Sequence, residues 1–244
     1  MKRWLGVIGA LALWQLLTSL HWISPFVLVP PSDLVRVFDE MLASGDLGRD
    51  ISATMGRVGV AFLIGGTSGL CLGLAAGIFR SIREPLEPLI NALNAIPKVA
   101  LLPLAIVTFG TGEASRNVPG ILTCFTLMAI HGVDSVRAVN PALVELGRNY
   151  GAHGFALFET VYLPSCLPQI ATGVRVSLSV SLIVVVSCEM LGAEQGLGSL
   201  IWTAGQSFST ERLYLGLLTC GLLGGGMVLI LKALERKLAP WASR

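Results

Sequence analysis

The sequence predicts an all-α integral membrane protein with six transmembrane helices. Three observations carry that expectation. Of the 244 residues, 53% are hydrophobic and 13% charged, and the mean hydropathy is +0.74. Soluble domains carry about 25% charged residues, so this chain lacks the polar side chains to coat a globule. The apolar residues fall into six runs near the length of roughly 20 residues that spans a bilayer as a helix. Lys and Arg, finally, gather on one side of the topology those runs imply.

The runs follow in order. The first covers about residues 4–20 and begins behind Lys2 and Arg3. No small-x-small cleavage site follows it, because Leu20, His21 and Trp22 stand there, so it reads as a retained anchor. The segment 24–56 reads as an external loop. In it Ser32 is placed to cap a helix from Asp33 to Ala43 with Leu34, Val37, Phe38, Met41 and Leu42 on one face, ended by Gly45. The second span, about 58–79, carries Gly65, Gly69, Gly73 and Gly77 at four-residue intervals, a face that another helix can approach closely. The third, about 86–109, is broken by Pro97 and Pro103. The fourth, about 118–133, is short and polar. The fifth covers about 174–191 and the sixth about 213–231.

With these spans, one side of the membrane holds Lys2, Arg3, Arg80, Arg83, Arg137, Arg148, Arg175, Lys232, Arg236, Lys237 and Arg244. The other holds Arg36, Arg49, Arg57, Arg116 and Arg212. Eleven against five places both termini in the cytoplasm. A net charge of +2 and the lack of a basic aromatic surface argue against a nucleic-acid partner. The five cysteines are odd in number, form no Cys-x-x-Cys and, except for Cys166, lie in apolar runs, so they read as small hydrophobes. The histidines are too far apart in sequence to form a ligand cluster, and no metal site is expected.

The most distinctive stretch is polar, from Asn140 to Pro168. Asn140 suits an N-cap and Pro141 the first helical turn. Ala142 to Asn149 then forms a short helix. Gly151, with Ala152 after it, permits a sharp reversal with positive φ. His153 to Tyr162 gives a second short helix with Phe155, Phe158 and Tyr162 on one face, and Pro164 and Pro168 are expected to end it.

This stretch resembles the cytoplasmic coupling loop of bacterial ABC importer permeases, with its Glu-Ala-Ala, downstream Gly and closing hydrophobic-x-Leu-Pro. Here the triplet is Glu145-Leu146-Gly147, the glycine is Gly151 and the ending is Val161-Tyr162-Leu163-Pro164. Leu146 and Gly147 depart from alanine, and Val161 stands in place of the usual isoleucine. Further strings extend the resemblance to the nitrate/sulfonate/taurine/bicarbonate group: Val29-Pro30-Pro31-Ser32, Phe109-Gly110-Thr111-Gly112-Glu113-Ala114-Ser115, Glu189-Met190-Leu191-Gly192-Ala193 with Gly196-Leu197-Gly198, and Leu238-Ala239-Pro240-Trp241. Thr108 departs from an aromatic, and Lys98 follows Pro97 where a second proline is frequent. The resemblance implies a single permease domain over residues 1–244 with a type I importer fold in the bacterial inner membrane. It implies a second permease copy, an external solute-binding protein and cytoplasmic ATPase subunits that dock on the loop through Glu145, Leu146, Gly147, Gly151, Ala152, Phe155, Phe158, Leu163 and Pro164. The chain has no Gly-x-x-x-x-Gly-Lys-Ser/Thr, so it is not itself an enzyme; ATP and Mg belong to the partner ATPase, and this chain needs no cofactor. The solute implied is a small anion.

Two ionisable residues are candidates for the solute path. Lys98 in the third span either offers a positive group to an anion or snorkels to the cytoplasmic surface. Glu189 at the end of the fifth either caps backbone donors or lines an outer gate. Two other classes fit the sequence less well. A secondary transporter or channel would need internal coupling-ion sites, and intramembrane acids are few. Gly66-Thr67-Ser68-Gly69 matches the Gly-x-Ser-Gly of rhomboid intramembrane proteases, but Ser68 would need a base and no histidine follows His153.

Overall fold

The computed structural model describes residues 2–20 and 27–238, and among these every regular element is helical. The helices are α1 (Lys2–Ser19), α2 (Pro31–Ala43), α3 (Asp46–Ile78), α4 (Arg80–Ala95), α5 (Lys98–Phe109), α6 (Glu113–Arg137), α7 (Pro141–Asn149), α8 (Phe155–Glu189), α9 (Leu197–Gln206) and α10 (Thr210–Leu238). Four of them, α3, α6, α8 and α10, are long and apolar enough to cross a bilayer, and the pair α4–α5 is a fifth candidate, bent by 90°. The first expected span is a helix, α1, but is not among these. Residues 239–241 of the Leu-Ala-Pro-Trp string lie outside the described residues.

The chain divides into two compact units. One comprises residues 1–54 and 189–223. Its core joins α2, the start of α3, α9 and α10 through Val37, Met41, Leu47, Leu197, Leu200 and Leu215. Helix α2 starts at Pro31, after Pro30, and Ser32 makes no side-chain cap. The Gln15 side chain of α1 serves instead, accepting from the Ser32 amide at 3.2 Å. Gly45 follows α2 at φ +77, as expected of a helix stop.

The other unit comprises residues 55–188 and 224–244. Its axis is α6, over half of whose apolar stretch is buried. The glycine face of α3 packs on it inside the same chain. A Cβ on Gly65, Gly69 or Gly73 would lie 2.0, 2.3 and 2.3 Å from the carbonyl oxygens of Ile121, Phe125 and Ala129; one on Gly77 would lie 2.5 Å from Val136 Cβ. Gly132 of α6 answers from the other side, where an added Cβ would stand 3.0 Å from the Gly73 backbone. Only hydrogen fits between these backbones, so the seam that the sequence left unassigned lies within one subunit.

Several expected boundaries are corrected. The segment 46–56 is helix rather than external loop and continues into the second span, so α3 has 33 residues. The fourth span is not short: α6 has 25 residues. Its polarity reflects burial, with Thr123, Thr126 and Ser135 donating to carbonyls of their own helix at 2.7–2.9 Å. The third span is two helices meeting at Ile96, whose ψ of 130° is the extended value expected before Pro97. Pro164 and Pro168 do not end a helix. They lie inside α8, which runs 35 residues through a π turn at Phe158–Tyr162. That wide turn just ahead of Pro164 relieves the clash a proline ring otherwise makes with the preceding turn. At about 52 Å, α8 is longer than the hydrocarbon thickness, and Arg175 lies within this helix rather than ahead of it. Arg175 pairs with Glu235 at 2.7 Å. Arg57, likewise inside α3, is bidentate to Glu113 at 2.7 and 2.8 Å.

The seam predicts that Gly69→Val, which drives a branched side chain into the Phe125 carbonyl, destabilises the protein by about 3 kcal/mol or more. Gly221→Val, at a site with nothing within 4 Å of the added Cβ, serves as the control. Thermal melting of both in detergent checks this, with only Gly69→Val melting early.

Candidate functional site

The polar stretch folds as a helix, a reversal and the start of a second helix. Asn140 Oδ1 accepts from the Ala142 amide at 2.9 Å and caps α7. At the other end the Gly151 amide bonds Arg148 O at 2.9 Å and the Ala152 amide bonds Gly147 O at 3.0 Å. With Gly151 at φ +86 this is a Schellman stop, the reversal read from the sequence. The sequence reading missed Gly154, whose φ of +55 completes the turn into α8. His153 Nδ1 lies 2.9 Å from Gly151 O within it. The second short helix, expected as a separate piece to Tyr162, is the first part of α8.

Gly147 explains its own departure from alanine. A Cβ there would stand 2.8 Å from Val161 Cγ2 and 2.9 Å from Leu157 Cδ1, so α7 lies close on the start of α8. Leu157 is buried, and Val144, Val161 and Tyr162 pack on a core of Met128, Val136, Val139, Cys166 and Ile170. Leu163 and Pro164 are half-buried and Ala152 is partly covered. On the opposite side the loop presents apolar surface. Tyr150 is 85% exposed, Phe155 76% and Leu146 53%, with Leu143 and Glu145 also exposed. Phe155 and Phe158 rings lie 6.2 Å apart and line, with Arg148, the α3 residues Leu74 and Ile78 and the following Phe79, a groove of about 680 Å³. The arrangement is a firm, exposed apolar knob on a short helix, suited to being gripped.

Lys98 sits at the 90° break. Its ammonium donates to the carbonyls of Leu93, Asn94 and Ile96 at 2.7, 3.1 and 3.0 Å. An ammonium has three donors, so all are used in capping the C-terminus of α4, where a positive charge is favoured. Neither sequence reading of Lys98 included this capping.

Glu189 is 1% exposed. Its Oε2 accepts from Thr54 Oγ1 and from the Gly198 amide, both at 2.9 Å. Thr54 Oγ1 in turn accepts from the Leu197 amide at 2.9 Å, and Asp50 Oδ1 accepts from the Gly196 amide at 2.9 Å. Three successive amides at the N-terminus of α9 are thus satisfied by side chains, at the end of a helix that favours negative charge. Gly196 is required there: φ is +130, and a Cβ would fall 2.5 Å from the Glu189 carboxyl carbon. The Glu189 carboxylate thus takes one backbone amide, that of Gly198, and one side-chain hydroxyl, that of Thr54. Asp50 and Thr54 were missed by sequence reading; their i, i+4 spacing is visible only once 46–56 is recognised as helix. Lys98 and Glu189 belong to separate constellations in different units. Ser68 Oγ bonds back to Ile64 O at 2.6 Å and Gly65 O at 3.2 Å, the habit of a helix hydroxyl rather than a nucleophile paired to a base.

From the capping geometry, Lys98→Met is expected to lower stability by about 1 kcal/mol through loss of the cap at the break, read as an earlier melt in detergent at fixed salt.

Known proteins share this architecture. Residues 69–244 match the family described as binding-protein-dependent transport system inner membrane component. The taurine transport system permease protein TauC of Escherichia coli (strain K12) is 29% identical, covering 96% of this chain and 88% of its own. The riboflavin transport system permease protein RibX of Chloroflexus aurantiacus is 30% identical, covering 95% and 86%. Among solved structures, an inward-facing conformation of the MetNI methionine ABC transporter superposes with a TM-score of 0.73 at 19% identity, covering 80% of this chain and 97% of that one. That likeness establishes the type I importer fold. The chain therefore belongs to the family of binding-protein-dependent transport system inner membrane components, as the membrane-embedded permease subunit of an ABC importer.

Proposed function

We propose that this permease is one half of a homodimer that imports a small anion of the sulfonate class, delivered by an external binding protein and driven by cytoplasmic ATPases gripping the Asn140–Pro168 loop. The observation that carries the proposal is the loop itself: capped by Asn140, reversed at Gly151, seated through Leu157 and Val144, and apolar where exposed. A solvent-facing loop gains nothing by exposing Leu146, Tyr150 and Phe155 unless a partner covers them. Glu145 and Arg148 then stand at the rim of that contact. ATP and Mg2+ would be held by the partner ATPase, whose hydrolysis supplies the driving energy.

In this reading the loop carries the closing of the ATPase pair into the spans, and the two permeases rock between outward- and inward-open states. The firm seat is what makes the loop a lever: α7 rests on the start of α8, and both rest on α6. Both termini lie in the cytoplasm, on the side with more Lys and Arg. The sulfonate class is supported by the taurine permease among the relatives. The riboflavin permease stands at similar identity, so a ligand screen of the cognate binding protein with taurine, alkanesulfonates and riboflavin decides the solute.

Gly151→Glu is expected to leave the chain inserted but uncoupled, because a bulky charged residue in a left-handed position breaks the reversal. Co-purification from native membranes checks this. The wild-type chain should bring a stoichiometric ATPase and Gly151→Glu should not; equal recovery with normal uptake would refute the docking role. Leu146→Asp should weaken ATPase recovery by about tenfold or more while leaving the melting temperature of the isolated chain unaltered.

A further inference from the structure

We infer that Glu189 is a positioning residue of the transport cycle: its carboxylate latches the N-terminus of α9 to α3 in one state and releases it in the other. The inference rests on the importer reading above. Helix α9 is short, ten residues, and is joined on both sides by left-handed residues. Gly192 at φ +111 and Gly196 at φ +130 precede it. Phe208 at φ +55 follows it, is 72% exposed, and is the one described non-glycine residue with positive φ. A bulky residue held in that conformation stores strain, and such positions mark elements that move.

Between these joints, the start of α9 is held by side chains. Asp50 and Thr54, one turn apart on α3, take the amides of Gly196 and Leu197, while Glu189 takes Gly198 and the Thr54 hydroxyl. Side-chain bonds of this kind reform without unwinding a helix, so the latch can open while α3, α8 and α9 stay intact. Ser199 Oγ, bonded to Ala193 O at 2.7 Å, keeps the connecting turn compact around it. Glu189 is also the last residue of α8, whose first residue, Phe155, belongs to the ATPase-docking loop.

The test uses the permease–ATPase complex in liposomes with its binding protein. It reads the ratio of ATP hydrolysis with loaded binding protein to hydrolysis without it. Glu189→Ala and Thr54→Val should each cut that ratio by about tenfold, the scale of a coupling free energy. Thr54→Ser, which keeps the hydroxyl, and Glu189→Gln, which keeps an acceptor oxygen, should stay within about threefold of wild type. The double variant Glu189→Ala with Thr54→Val should be no worse than the poorer single, as for two members of one network. A wild-type ratio in Glu189→Ala would overturn the latch alone. So would a Thr54→Ser as impaired as Thr54→Val, since that would mark a merely structural position. If Glu189→Ala fails to assemble, the Thr54 pair decides. A wild-type complex that does not respond to binding protein would overturn the importer reading and the latch with it.

Discussion

The backbone-to-backbone seam between α3 and α6 is the contact on which the rest of the larger unit depends. In lipid no hydrophobic force drives one helix onto another, because the tails are as apolar as the side chains. What remains is dispersion between surfaces that approach closely. Gly65, Gly69 and Gly73 bring α3 within reach of the carbonyls of Ile121, Phe125 and Ala129, and Gly132 removes the last obstacle on α6. With α6 fixed, its far end can carry the loop: Val136 and Val139 form the bed on which Val144, Val161 and Tyr162 rest. The exposed loop is firmly seated because the seam beneath it is.

A second constraint acts wherever a helix breaks. Backbone donors and acceptors freed inside a bilayer must be satisfied by protein. The chain meets that demand with its own ionisable side chains. Lys98 supplies three donors to the end of α4, and Glu189, Thr54 and Asp50 supply acceptors to the start of α9. Charged residues in spans are read by default as parts of a path for solutes. Here both make hydrogen bonds to backbone groups at a helix end.

The membrane class, the glycine face and the helix–reversal–helix character of residues 140–162 were legible in the sequence. Each depends on local chemistry: long apolar runs, a four-residue glycine spacing, and an Asn-Pro start with a Gly stop. The lengths of α3 and α6 were not legible, because an apolar run ends where polar residues begin while the helix does not: the start of α3 carries exposed Asp46 and Arg49, and α6 carries buried hydroxyls. Thr123, Thr126 and Ser135 make α6 polar in sequence, while in the fold their hydroxyls are satisfied on its own carbonyls. Pro164 misled for a different reason: a π turn ahead of it absorbs what a regular α-helix could not; Pro168 lies within the regular helix that follows. The partner of the glycine face, and the acceptors Asp50 and Thr54 more than a hundred residues from the amides they cap, are tertiary facts with no local signature.

On the proposed function, the exposed apolar face of the Asn140–Pro168 loop is covered by an ATPase. The most direct measurement is photocrosslinking from a probe residue substituted for Leu146 in intact cells, followed by identification of the adduct. The account predicts a single major adduct to a P-loop ATPase, abolished by Gly151→Glu in the same chain. Adducts confined to lipid or to a second copy of this chain, in membranes where the transporter is active, would contradict it.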